Sequence, residues 1–454
     1  MKQKTVQWIK QSLIYGIVLL FFAGMASCKD KEEPIKIFDL TVKLVYPSEY
    51  PTVADIRVKL ENTSSGMVLE ERTNASGTVV FEVTAGVYNV STTESRVVGL
   101  AQVVFNGVVT NVIINDNRSI DVNLTESKIH QVVMKELYSG GCQRDDGSGA
   151  YNNDSYVILY NNSGEPATLS NGCLAYVLPF NSNATNNDYV GGALSFEHEG
   201  WIGAGTAIWA FDHSVTIPSG QQIVIALKSA IDNTETYSNS INFANASYYC
   251  TYDPESGFNS ATVYPPPAAS IPTNHYLKAY RWGLGNAWPL STSSPGFFVF
   301  NLDGVSAQAF MDNESLVNYH GNAIQANERR KVQVEWIVDA VDVFAYGNAN
   351  NQKRFSTAVD AGYVELRHQY GFSIYRNVDK EATEAIEENA GKIVYNYSLG
   401  TRDFLLEGEI INGTTDPSGI DAEASMKNGA RIVFKNTNNS SNDFHMRQKA
   451  SLRN

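Results

Sequence analysis

A mainly β chain folded as two β-sandwich domains is what this sequence predicts, and three observations carry that expectation. Phe38, Leu40, Val42 and Leu44 alternate with Asp39, Thr41 and Lys43, the period of a strand with one buried face. Helical periodicity is scarce along the whole chain. Tyr, Asn, Ser, Thr and Val dominate the readable stretches, and 11% of residues are aromatic while 18% are charged, a balance suited to pleated, half-buried surfaces. With 454 residues the chain can bury more than one core.

Residues 1–27 read as a processing signal. Lys2, Lys4 and Lys10 precede an apolar run from Leu13 to Ala23 that is short for a bilayer span. The run ends in Met25, Ala26, Ser27 and Cys28, which resembles a bacterial lipobox. That resemblance implies a lipidated Cys28 at the new N-terminus, held to a membrane by acyl chains worth about 0.8 kcal/mol per buried CH₂. Within residues 28–35, the run from Lys29 to Glu33 is similar to the acidic export tag of Bacteroidetes-type lipoproteins, and implies the outer face of the outer membrane. The formal charge of −14 argues against nucleic acid and anionic lipid surfaces as partners.

Residues 36–127 predict a self-contained sandwich. After the first strand, Ile56, Val58 and Leu60 alternate with Asp55, Arg57, Lys59 and Glu61. Two short strands turn at Gly77 and Gly86, and a hairpin with Asp116 and Asn117 at its tip follows. Thr73, Gly77 and Phe81, then Gly86, Tyr88 and Val90, resemble the carboxypeptidase-regulatory-like (prealbumin-like) domain. The resemblance implies a spacer or docking module with no catalytic residues.

Residues 128–454 predict the second sandwich, organised around the stretch from Gln131 to Leu178. Val157 and Leu159 face one way and Tyr156, Ile158 and Tyr160 the other; both faces are apolar, so this strand is central. Glu136, Tyr156 to Cys173, Val215 to Leu227, Trp336 to Asn348, Gly371 to Asp379 and the closing Lys435 to Arg447 resemble, in order, a lamin-tail-like domain of immunoglobulin type. Ile158 and Cys173 depart from that family's glutamate and tryptophan. The whole architecture resembles a Bacteroidetes-type surface lipoprotein family of uncharacterised function, which implies service to an outer-membrane TonB-dependent transporter.

Long insertions separate these segments. One, near 229–295, holds Tyr248, Tyr249, Tyr252, Trp282 and Trp288 spaced by Asn, Ser and Gly; Trp201 and Trp209 lie in a second such region, with Gly203 and Gly205 between them. Rigid rings beside adaptable amides suit sugars or protein partners, so these seven are the candidate ligand-binding residues. The alternative is that they fill a core of the insertion itself. Helices are expected for about three turns from the cap Asp379 to Gly391, and over Asn313 to Tyr319.

No nucleophile elbow, phosphate-binding glycine loop, HExxH or CxxC occurs, and no cofactor is expected. Asp145, Asp146 and Asp154 offer oxygen ligands without calcium-loop spacing, and His198, Glu199 and His213 form the nearest metal-type cluster. Asp339 and Asp342, three apart on a strand, point to opposite faces and form no catalytic pair. Cys142, Cys173 and Cys250 allow one disulfide, in any of three pairings, or none. The expected function is that of a non-catalytic binding or accessory lipoprotein for a glycan or other nutrient. A structural or adhesive protein would instead bury its aromatics, and a glycan hydrolase would need two carboxylates converging in a cleft lined by Trp201 or Trp282.

Overall fold

In a computed structural model of the chain, residues 36–453 are described apart from 49, 99–100, 129–130, 303, 398–402, 407–408 and 413–414. The leader, Cys28 and the acidic linker lie outside the described residues. The protein is mainly β, with several sheets and few short helices.

The first sandwich contains β1 (Ile37–Val45), β2 (Arg57–Asn62), β3 (Val68–Arg72), β4 (Thr78–Thr84), β5 (Gly86–Val98), β6 (Ala101–Ile114), β7 (Arg118–Asn123) and β8 (Thr125–Lys128). A three-stranded sheet, β4-β1-β7, packs on a five-stranded sheet, β3-β2-β5-β6-β8. Leu40, Val42, Val58, Leu60, Phe81 and Val90 meet between them, the inward set that the alternation predicts. One expectation fails. β6 and β7 are not partners: β6 stays in the larger sheet, while β7 crosses over to lie parallel to β1. The free edge of β1 accepts β7, and the crossing brings Val122 into the shared core. Asn117 serves this passage by accepting the Asp39 amide at 3.0 Å.

In the second sandwich the principal strands are β9 (Val132–Tyr138), β10 (Tyr156–Asn161), β11 (Gly172–Tyr176), β12 (Ala207–Ala210), β13 (Gln222–Ala226), β14 (Tyr249–Cys250), β15 (Lys278–Arg281), β16 (Gly296–Asn301), β17 (Ile337–Ala345), β18 (Val364–Leu366), β19 (Ser373–Arg376) and β20 (Phe444–Arg447). They form two six-stranded sheets, β14-β13-β10-β9-β19-β20 and β15-β12-β11-β16-β17-β18. Val157, Leu159 and Ile225 of one face Leu174, Trp209 and Phe297 of the other. β10 lies third in its sheet and is buried on both faces, as its apolar pattern requires.

The outer faces are covered too. Over Phe298, Phe300 and Ala340 lies a small sheet, from Trp201–Ala204, Val317–Tyr319 and Glu328–Gln333, together with α1 (Ala307–Asp312). Over the other sheet, Ile241, Phe243 and Ile271 cover Tyr156 and Ile158, while Ile420, Ala422 and Ile432 cover Tyr160 and Tyr375. The insertion near 229–295 supplies β14 to one sheet and β15 to the other, so it closes one side of the sandwich. At the opposite side the edge strands are β18 and β20.

The helices are shorter than expected. Asp379 does cap a helix by accepting the Ala382 amide, but α2 (Lys380–Glu384) ends before a separate turn at Glu387–Asn389. Asn389 ties that turn down by bonding the carbonyls of Thr383 and Arg431, which bends the chain away from a continuous helix. Instead of one helix over Asn313 to Tyr319, α1 starts earlier on its cap Ser306, and a single turn at Glu314–Leu316 leads into the strand Val317–Tyr319. No helix among the described residues is long and apolar enough to cross a membrane.

Candidate functional site

The rings that the sequence marked for contact are mostly interior. Trp201, Trp209, Tyr249, Tyr252, Trp282 and Trp288 are buried, and Tyr248 is half-buried. Their reading as a ligand face is corrected accordingly. Trp209, fully buried, stacks on Phe258 and meets Trp288 edge-on between the two main sheets. Trp282 donates its indole N–H to the Gly205 carbonyl at 2.7 Å, and Trp201 donates to Glu199 at 2.7 Å. Gly205 is needed where it is because a Cβ there would lie 2.2 Å from the Tyr176 ring. Trp209, Trp288 and Tyr249 fill the space between the two main sheets, whereas Trp201 and Trp282 fill the layer over one outer face and Tyr252 the layer over the other.

The proposed metal ligands do not converge either. Asp145 accepts the Ser238 amide and Asp146 caps its own turn at Ser148. Asp154 is inside, accepting from Tyr138 at 3.1 Å and from Ser240 at 2.8 Å. Among the described residues no group of three or more His, Cys, Asp or Glu side chains is arranged to hold a metal, which removes the His198, Glu199 and His213 cluster as well. Cys142, Cys173 and Cys250 are free, buried thiols, and burial pushes Cys142 up to about 12. Asp339 and Asp342 point to opposite sides of β17 and are each held by an arginine, Arg376 and Arg354.

A cleft of about 850 Å³ opens where β18 and β20 face the first sandwich. Its first wall is Arg57 and Lys59 of β2, Glu70 of β3, and Ser91, Thr92 and Thr93 of β5. Opposite stand Tyr346, Tyr363 and Glu365, and along the floor run Lys435, Asn436, Asn442 and His445. The two sandwiches are joined beside it by polar contacts. Asn442 donates to the Thr93 hydroxyl at 3.1 Å, and the buried Asn106 takes a bond from Thr93 at 2.8 Å while donating to the Thr437 carbonyl. This volume is within the range of small-molecule sites, which favour domain boundaries.

Two kinds of side chain shape the cleft. Tyr346 and Tyr363 are exposed rings, 40% and 44% accessible. Tyr363 lies flat on Phe344, with ring centroids 4.1 Å apart and planes 9° apart. Burial, and then the carboxylates of Glu61 and Glu365, push the Tyr363 phenol up, so its hydroxyl stays protonated. His445 is locked rather than reactive. Burial and the nearby Arg447 lower it to about 3, so the ring is neutral. The Asn377 amide donates through its nitrogen to the Asn442 carbonyl, which leaves its oxygen to accept from His445 Nδ1 at 2.8 Å; Nε2 then accepts from the Tyr397 hydroxyl at 3.0 Å. Asn436 presents a buried Oδ1 with no hydrogen-bond partner. Sequence reasoning passed over Tyr346 and Tyr363 because nothing in their local pattern separates them from the buried tyrosines.

The comparisons with known proteins fall on part of this frame. The family described as protein of unknown function (DUF4876) matches residues 218–407. The matched stretch, under half of the chain, includes the whole aromatic insertion together with Tyr346 and Tyr363, and leaves out the first sandwich and the cleft floor. A crystal structure of a DUF4876 family protein from Bacteroides thetaiotaomicron is similar over 90% of this chain and 94% of its own, at 15% identity and a TM-score of 0.48. A second structure from that organism, a DUF1812 protein provisionally described as polysaccharide-binding, is similar over 27% of this chain and 57% of its own, at 14% identity and a TM-score of 0.16. None of the curated proteins matches the chain.

Proposed function

We propose that this protein is a lipid-anchored, non-catalytic binding protein of the bacterial outer surface, and that it holds its ligand in the cleft between its two sandwiches. The observation that carries this reading is the cleft itself: about 850 Å³, walled by both domains, with two accessible tyrosines among amides and hydroxyls. Cys28 supplies the anchor, the first sandwich, of carboxypeptidase-regulatory-like kind, supplies the stalk, and the second, of lamin-tail-like kind, supplies most of the cleft. Delivery to an outer-membrane TonB-dependent transporter is the role this arrangement suits. His445, the histidine on the cleft floor, is neutral and has both ring nitrogens engaged, which suits positioning better than proton transfer.

The test is a thermal-shift screen of the full chain against oligosaccharides, peptides, nucleosides and organic acids, repeated with Ser91→Trp to plug the first wall. Ligands that stabilise the native protein and lose their effect on the plugged variant support the reading. Stabilisation that survives the plug, or none from any class, sinks it. The anchor has a separate test: Cys28→Ala should move the protein from the membrane fraction to the soluble one, and continued membrane fractionation would show that the lipid is not the tether.

The buried tryptophans favour one competitor, a structural or adhesive surface protein with no small ligand. On that reading the cleft is filled by a neighbouring macromolecule, and the screen returns nothing.

A further inference from the structure

We infer that the cleft takes an uncharged saccharide, stacked on the open face of Tyr363. The inference rests on the reading of the cleft as a binding site and adds to it the chemical class of the ligand.

The platform comes first. Tyr363 is backed by Phe344 at 4.1 Å and 9°, and Phe344 is itself buried. The tyrosine is further held at its backbone, where its amide donates to the Ser441 hydroxyl at 3.0 Å and its carbonyl accepts from that same hydroxyl at 2.8 Å. A ring clamped in this way offers a flat apolar surface whose orientation is settled before any ligand arrives, so little entropy is lost on binding. Flat ligands with an apolar face are a nucleobase, a planar aromatic and the C–H face of a pyranose.

Charge and hydrogen bonding choose among these. Arg57 and Lys59 each already face a carboxylate, Glu70 at 3.4 Å and Glu61 at 3.0 Å. The third cation, Lys435, shares the lining with the carboxylates of Glu365 and Asp379. The cleft therefore keeps no uncompensated positive charge for a phosphate, a sulfate or a uronate, and the whole chain is acidic. What it does offer is a series of short neutral donors and acceptors, among them the half-buried hydroxyl of Ser91 and the exposed amide of Asn442, which keeps a second N–H and its oxygen after bonding Thr93. Hydroxyls around the rim of an apolar face are the pattern of a neutral sugar. A planar aromatic without such a rim would leave those donors and acceptors without ligand partners.

The experiment is a glycan array carrying neutral gluco-, xylo-, manno- and galacto-oligosaccharides beside uronate-bearing and sulfated ones, with positives measured by calorimetry. Neutral oligosaccharides should bind. Tyr363→Ala should weaken them about tenfold or more, while Tyr363→Phe, which keeps the stacked face and loses only the hydroxyl, should stay near the native affinity. Because Tyr363→Ala also removes the cover from Phe344, its melting temperature is compared with that of the native protein, and Tyr363→Leu, which keeps an apolar cover over Phe344 but no flat ring, carries the test if the alanine variant fails to fold. Neutral-glycan binding unaffected by loss of the ring overturns the platform. Signals confined to charged glycans, or a peptide or nucleoside hit from the thermal screen that Ser91→Trp abolishes, overturn the saccharide class while leaving the cleft as a binding site. An array with no signals beside a thermal screen with no hits overturns both.

Discussion

The two sandwiches handle charge in opposite ways. In the first, ion pairs lie on the outside: Arg57 and Glu70 are 60% and 46% exposed, and Arg72 reaches Asp55 in open solvent. Among the described residues there, only Arg96 with Glu94 is drawn inward. In the second, Arg354 and Asp342 are fully enclosed, and Arg376 with Asp339, Arg329 with Asp188 and Lys135 with Glu423 sit in or against the core. The difference follows from layering. A sheet with one wet face can leave its charges in water, where a pair contributes little. Sheets covered on both sides leave water only their edges, where Lys278 meets the exposed Glu255, so a charge carried inside them must be enclosed with its partner and hydrogen-bonded.

This contrast can be broken most sharply at Arg354. Its guanidinium bonds Asp342 twice, at 2.7 and 3.0 Å, and also reaches the carbonyls of Ser294 and Val343. Arg354→Leu leaves Asp342 buried with only Lys353 nearby, and should destabilise the protein by about 3–5 kcal/mol, read from urea or guanidinium unfolding. A loss below 1 kcal/mol would mean that the enclosed pair is not what holds these layers.

Acid should discriminate next. The first sandwich contains no histidine between residues 36 and 127, whereas His445 lies buried in the second. Its folded pKa is lowered to about 3, below the ordinary 6.5, so the unfolded chain takes up the proton first. Stability is therefore complete above about pH 6.5 and declines as pH falls toward about 3, with a slope of up to about 1.4 kcal/mol per pH unit from this one group. His445→Gln should flatten unfolding free energy measured between pH 7 and pH 4; an unchanged slope would assign acid sensitivity elsewhere.

The smallest effect belongs to the wet side of the first sandwich. Val80 points outward from β4 and is half exposed. Val80→Lys should shift stability by no more than about 0.5 kcal/mol, and a larger loss in the same unfolding assay would show that this face is covered after all.

The first sandwich was the more legible of the two for the same reason. One wet face writes itself into the sequence as alternation, so β1 and β2 could be read directly from Leu40, Val42, Val58 and Leu60. The pairing of β7 could not, because a neighbour across a crossover leaves no mark on local pattern. In the second sandwich β10 was recognisable as central from its two apolar faces, and yet the same double burial concealed the site. Aromatics that fill a core have the same letters as aromatics that touch ligands, and only the third dimension separates Trp209 from Tyr363. The cleft itself joins Arg57 and Thr93 to Asn442 and His445, residues too far apart in the chain for any motif to connect.

The seam between the sandwiches is a handful of polar bonds, chiefly Asn106 and Thr93 with Thr437 and Asn442. Because opposing sides of the cleft belong to separate sandwiches, its aperture is set by their mutual tilt, and that tilt depends on a seam in which Asn106 stands outside the cleft lining. Selectivity for guest size can thus drift through changes at Asn106 alone, with every residue that would touch the guest kept the same.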